Sequence, residues 1–288
     1  MKVYTGATLP KTTHGRLMVF GATGAGKSTT ASTMPGPRLV IGIDPNAPVP
    51  LRRSYEDVPR KYMPKGETSR MPAIMLGNED AKGNFIGLTA WDGVAQAIDW
   101  TMSNWEKHKI KSVVVDNLTH LVEVLKRHFQ KPDKNGQPSI HIRDWGIISD
   151  RLADMRYRLH QLPVHVCWLA GFRPPRIDEE DQSKSRDGGP DLSGQQAWVF
   201  PSNCHCSLLQ TRKTINGKDF VRLHSQPHDH IECKDNTGRL GATESADLTF
   251  IMAKMGFFGE DPEVPTILKA YEKTDAQRKA EALGVVVS

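Results

Sequence analysis

Eight consecutive residues constrain this chain more than any others. Gly21-Ala22-Thr23-Gly24-Ala25-Gly26-Lys27-Ser28 fits the pattern G-x-x-x-x-G-K-[ST] in full, between a short apolar run, Arg16 to Phe20, and a helix-compatible stretch, Thr29 to Met34. A phosphate-binding loop needs that order of strand, loop and helix. Its glycines let the backbone curl so that successive N–H groups converge on phosphate oxygens, and the start of the following helix adds partial positive charge. Lys27 is then placed to reach the β- and γ-phosphates of ATP and Ser28 to ligate Mg²⁺, with Gly21 to Thr29 as the nucleotide-binding segment.

Such a loop needs an acidic partner for the metal, at the tip of a buried strand next to the first one. Ser112-Val-Val-Val-Asp116 supplies it; the plainer role of Asp116 is to cap the helix that follows, and the phosphate loop favours the metal. Asp44 ends another buried strand, Arg38 to Asp44, and either orients the attacking water or forms the turn before Pro45. Arg173 follows a fourth strand, Val164 to Ala170, as a γ-phosphate sensor or a solvated loop arginine.

Between these strands the apolar spacing is helical from Ala90 to Lys107 and from Asn117 to Gln130. It is helical again from Ile142 to Leu162, where Trp145, Ile148, Leu152, Met155 and Leu159 fall on the inward face. Strands alternating with helices predict an α/β fold with a mainly parallel sheet. Ala73 to Leu76 reads as a further strand, and Pro174 to Gln196 as a long mobile loop. Cys204 to Thr211 and Phe220 to His224 read as strands joined at Asn216-Gly217, Thr249 to Met252 as a last strand, and Pro265 to Leu283 as a helix. The expected organisation is one domain over residues 1–258 with a helical tail over 259–288. No apolar run reaches membrane-spanning length, the first ten residues lack a secretory core, and four cysteines in 288 residues are too few for a disulfide framework. A reducing cytoplasm is the expected setting.

The net charge of +5 is uneven: residues 1–173 carry 24 basic and 15 acidic side chains, and residues 174–288 carry 14 and 18. Any polyanion therefore meets the first part. Candidate contacts are Arg52-Arg53 and Arg60-Lys61, with Tyr55 and Tyr62 for base stacking, and Arg143 to Arg158; a solvated charged face is the plainer reading. The segment Pro174 to Gln196 has three basic residues, Arg176, Lys184 and Arg186, against six acidic ones, and suits phosphate poorly. Cys204 and Cys206, two apart on a strand, share a face, with His224, His228, His230 and Cys233 nearby. They are zinc-ligand types, but no C-x-x-C pair occurs, and two small buried side chains in the sheet core are the plainer reading of Cys204 and Cys206.

The succession GATGAGKS, VIGID and SVVVDN, then a strand, a loop and a hairpin, resembles RecA-core ATPases over roughly residues 14–255. It looks most like the compact RecA-core proteins of bacteriophages, including the Sak-type single-strand annealing proteins and related phage nucleotide-binding proteins. The resemblance implies a RecA-like P-loop core with a C-terminal β-hairpin extension, Mg²⁺-dependent ATP hydrolysis, homo-oligomers with nucleotide at the subunit interface, and single-stranded DNA as partner in recombination or replication. Lys234 to Gly241 is similar to the K-N-R-F-G segment of RadA-type paralogues at altered spacing, which implies that Lys234 or Arg239 reaches a neighbouring subunit's nucleotide. Where RecA-like enzymes place a glutamate after the second strand, this chain has Asp44-Pro45-Asn46. Two other expectations follow: a nucleotide-gated interaction protein with little turnover, and a small-molecule kinase, whose lid would be basic where Pro174 to Gln196 is acidic.

Overall fold

Uninterrupted runs of Val, Ile and Leu form strands that can be buried on both faces, which is the condition for a parallel sheet covered by helices on each side. The computed structural model describes residues 13–47, 73–176, 187–215, 218–227 and 230–258. β1 (Arg16–Gly21) leads through the phosphate loop into α1 (Lys27–Ala31), β2 (Arg38–Gly42) and β3 (Ala73–Leu76). A ribbon of β4 (Asn78–Glu79) and β5 (Phe85–Gly87) precedes α2 (Trp91–Asn104), β6 (Ser112–Asp116) and α3 (Leu118–Phe129). A second ribbon, β7 (Lys131–Pro132) and β8 (Pro138–Ser139), leads into α4 (Ile142–Gln161) and β9 (His165–Ala170). Next come β10 (Phe172–Arg173), β11 (Gly189–Pro190) and α5 (Gln196–Ser202). The chain then runs through β12 (Cys206–Ile215), β13 (Lys218–His224), β14 (Lys234–Asp235), β15 (Thr243–Ser245) and α6 (Leu248–Met255).

The main sheet has the order β15-β13-β12-β1-β9-β6-β2-β3, with β14 also paired to β12. From β3 to β12 every pairing is parallel; β13, β14 and β15 add antiparallel edges. Alternate residues face opposite ways: Met18 and Phe20 join a core with α2, α3, α4 and α5, whereas Leu17 and Val19 join one with α1 and α6. The architecture is the expected α/β core, a mainly parallel sheet flanked by helices with a C-terminal β-hairpin extension. Its hairpin is more than an appendage, because β12 is itself a parallel core strand beside β1. No helix among the described residues is long and apolar enough to cross a membrane.

Several expectations are corrected. Asp116 does not end a strand next to β1, because β9 inserts between β1 and β6. Thr249 to Met252 is helical: Asp247 caps α6 by accepting the Phe250 N–H at 2.9 Å, and Gly256 closes it in the left-handed region at φ 85°. A short apolar run carries no period that separates a buried helix from a buried strand. Trp145 is 38% exposed rather than inward, on the first turn of α4. Pro174 to Gln196 includes β11, which pairs with β10 just before the segment, and the first residue of α5, while residues 177–186 lie outside the described residues. Cys204 precedes β12 and packs into the Trp168 core, whereas Cys206 packs into the opposite one, so their sulfurs do not share a face. Among the described residues no group of three His, Cys, Asp or Glu is arranged to hold a metal ion; His228 is not among them. The expected helix Pro265 to Leu283, and with it the tail 259–288, also lies outside them.

Candidate nucleotide site

The loop sits at the C-terminal end of β1, where the strand order turns back on itself and the flanking strands β9 and β12 leave a crevice. Gly21 has to be glycine, because a Cβ there would lie 2.5 Å from the Gln210 carbonyl oxygen of β12. Gly26, at φ 90°, turns the chain into α1 through the left-handed region. Lys27 Nζ donates back to the Gly21 and Ala22 carbonyls at 2.9 and 3.0 Å, so the ammonium lies across the mouth of the loop. Burial holds its pKa below the usual lysine value, against the pull of Asp116 and Asp44.

Ser28 and Asp116 meet across the intervening strand β9. Ser28 Oγ–H donates to Asp116 Oδ2 at 2.6 Å. Asp116 is 3% exposed, and burial pushes its carboxyl up to about 6, opposed by the Ser28 hydrogen bond. It does not cap α3; Asn117 does, its side chain accepting the His120 N–H at 2.9 Å. A desolvated carboxylate facing a hydroxyl is a hard-oxygen donor pair of the kind Mg²⁺ takes beside a triphosphate, so the residues fit that ion.

Asp44 forms the expected turn and also faces two residues at the start of α3. Oδ1 accepts the Asn46 N–H at 2.8 Å, closing the turn, while Oδ2 faces Asn117 Nδ2 at 3.3 Å and His120 Nδ1 at 3.4 Å. His120 holds the Asp44 carboxyl below its usual range, and Asp44 in turn raises the imidazole. The Ile43 and Asp44 N–H groups donate to the Asp116 carbonyl at 2.6 and 3.0 Å, which keeps the two carboxylate-bearing strand tips together.

The other expected residues are placed differently. Arg173, on β10, donates to the Leu192 carbonyl at 3.4 Å. Lys234 lies opposite Ser207, which is level with Met18, three residues back from the loop end of β1, and its Nζ donates to the Ser202 carbonyl at 3.0 Å. Arg239 donates to the Met255 carbonyl at 3.1 Å. Neither contacts the phosphate loop of its own chain. Sequence reasoning missed four residues that do shape the site: Asn117, His120, Gln210 and Arg212. Buried Gln210 donates to the Ala25 carbonyl at 2.7 Å and Arg212 to that of Gly24 at 3.2 Å, so β12 holds the outside of the loop. Beside it opens a cleft of ≈ 460 Å³ lined by Ala22 to Ala25, Phe172, Gln210, Arg212 and Ile231 among others.

Gly21→Ala is expected to force β12 and the loop apart. Overpacking of this kind costs about 1–3 kcal/mol, so both the thermal midpoint and nucleotide affinity should fall. A thermal melt and an ATP titration at wild-type values would show that the close approach is dispensable.

Comparison with curated proteins finds no match. Among solved structures, a KaiC-like protein from Pyrococcus horikoshii OT3 aligns with a TM-score of 0.40 and 12% identity, over 76% of this chain and 83% of that one. The family described as AAA domain matches residues 13–237, a span running from the first residues before β1 to just beyond β14 and containing the loop, Asp44 and Asp116. By that match, and with a phosphate loop whose lysine, serine and buried carboxylate converge on one strand edge, the chain belongs to the AAA domain family of P-loop ATPases.

Proposed function

We infer that the chain is a Mg²⁺-dependent ATPase that works as a homo-oligomer on single-stranded DNA, with strand annealing in phage recombination or replication as its setting. The Ser28–Asp116 contact, 2.6 Å long beneath a glycine loop, carries the ATPase part. A bound Mg²⁺ would offset charge on the β- and γ-phosphates. Lys27 would leave the Gly21 and Ala22 carbonyls for phosphate oxygens, and Asp116 would hold its charge toward Ser28. With Lys234 and Arg239 directed away from their own loop, a role for either at a nucleotide requires a second subunit.

The DNA partner is supported by the resemblance and by the basic first part of the chain. Helix α4 contributes little of that charge. Arg151 lies over Trp91 and Phe129, Arg156 lies over Phe200, and Arg158 pairs with Asp99 at 2.5 Å, which leaves exposed Arg143. Arg52-Arg53 and Arg60-Lys61 lie outside the described residues.

ATP turnover should require Mg²⁺ and rise when single-stranded DNA is added. Retention of that DNA should weaken steeply with salt, because phosphate contacts release counterions. ATP bound without hydrolysis, and no effect of DNA, would instead make the chain a nucleotide-gated interaction protein.

A further inference from the structure

The carboxylate that faces the phosphate site is held from three sides, and two of its holders come from the first turn of one helix. Asn46 N–H takes Asp44 Oδ1, and Asn117 Nδ2 and His120 Nδ1 both lie against Oδ2, at 3.3 and 3.4 Å. Asn117 is itself fixed, because its Oδ1 accepts the His120 N–H as the cap of α3. Asn117 also follows Asp116 directly, so the groups that aim Asp44 share a backbone with the residue assigned to Mg²⁺. Each carboxylate oxygen accepts about two hydrogen bonds, which leaves Asp44 acceptor capacity for a water.

We propose that His120, with Asn117, is a positioning residue that aims Asp44 at the water attacking the γ-phosphate. The proposal rests on the ATPase reading and adds to it the residues that set its rate. In the reaction the water oxygen bonds to the γ-phosphorus while the bond to the β–γ bridging oxygen breaks. The electron pair of that bond leaves on ADP, and the water's proton ends on the released phosphate. Because the transition state of phosphoryl transfer is loose, direction matters more than basicity. A short aspartate that replaces a longer glutamate has less reach, and two donors on the same oxygen fix its one useful orientation.

The test compares wild type with His120→Ala, His120→Asn, Asp44→Ala and the double variant Asp44→Ala/His120→Ala. Turnover is read at saturating Mg·ATP, and affinity is read separately by titrating a fluorescent ATP analogue. His120→Ala should lower kcat roughly 10- to 100-fold, the scale of a misplaced reacting group, and leave affinity within about twofold because the ring touches no residue of the loop. His120→Asn should recover most of the loss, since its amide N–H stands where the ring Nδ1–H stood. The double variant should be no slower than Asp44→Ala alone.

Wild-type turnover in His120→Ala, an asparagine variant as slow as the alanine one, or additive losses in the double variant would each overturn the positioning role. Failure of the underlying reading looks different: wild type itself would bind no nucleotide, or bind it and never release phosphate.

Discussion

A Lys27→Ala variant is expected to lose nucleotide binding and keep its fold. In the structure the ammonium is satisfied by two neutral carbonyls, those of buried Gly21 and exposed Ala22, and Lys27 itself is only half-buried, so water can replace it. Deleting it therefore costs the fold about 1 kcal/mol, the net worth of ordinary hydrogen bonds. Against a triphosphate the same deletion removes a charge-assisted contact in a partly desolvated site. Such losses run to about 2–5 kcal/mol, or roughly thirtyfold or more in affinity. Titration with a fluorescent ATP analogue alongside a thermal melt separates the two effects. Wild-type affinity in the variant would remove the phosphate-loop assignment altogether.

Acidification from pH 7 to pH 5 should loosen the fold through two histidines that must stay neutral. Trp168 Nε1–H donates to His160 Nε2 at 3.0 Å, and the Gly15 N–H donates to His165 Nδ1 at 2.9 Å. Burial, helped by Arg16 and other cations, brings both rings down to about 3. In the unfolded chain each titrates near 6.5, so between those values the unfolded state binds protons that the folded state refuses. Stability is complete above the unfolded value and is lost as pH falls toward the folded one.

The loss has an upper limit of about 1.4 kcal/mol per ring per pH unit below 6.5, or about 2 kcal/mol each at pH 5. Asp116 and His120, whose values are raised, act in the opposite direction, so the difference between two proteins is the cleaner reading. His165→Asn keeps an acceptor facing Gly15 and has nothing to protonate; its urea midpoint should fall less between pH 7 and pH 5 than that of wild type. Parallel curves for the two proteins would mean that the ring does not resist protonation.

The parts of the site legible in the sequence are those that depend on neighbours along the chain. Gly21 to Ser28 form a loop through their own backbone, and Asp116 announces itself as the polar end of a run of valines. Asp44 is visible for the same reason. The remainder depends on strand order, which no local pattern encodes. Gln210 meets Ala25 across 185 positions, and β9 enters between β1 and β6 from much later in the chain. His120 reads as one polar residue on an amphipathic helix until β2 and β6 are placed side by side. At Thr249 to Met252 the apolar side chains suit either element, and the cap at Asp247 decides for the helix.

The length of β12 has a mechanical consequence. Cys206 to Gln210 are clamped against β1, while the strand continues to Ile215 with β13 as its partner. The ribbon is thus a cantilever built into the sheet. At the end of the clamped stretch Gln210, and two residues beyond it Arg212, hold the Ala25 and Gly24 carbonyls through their side chains. A load applied at the free end bends the beam most at its root, and there the first rigid body it meets is the phosphate loop.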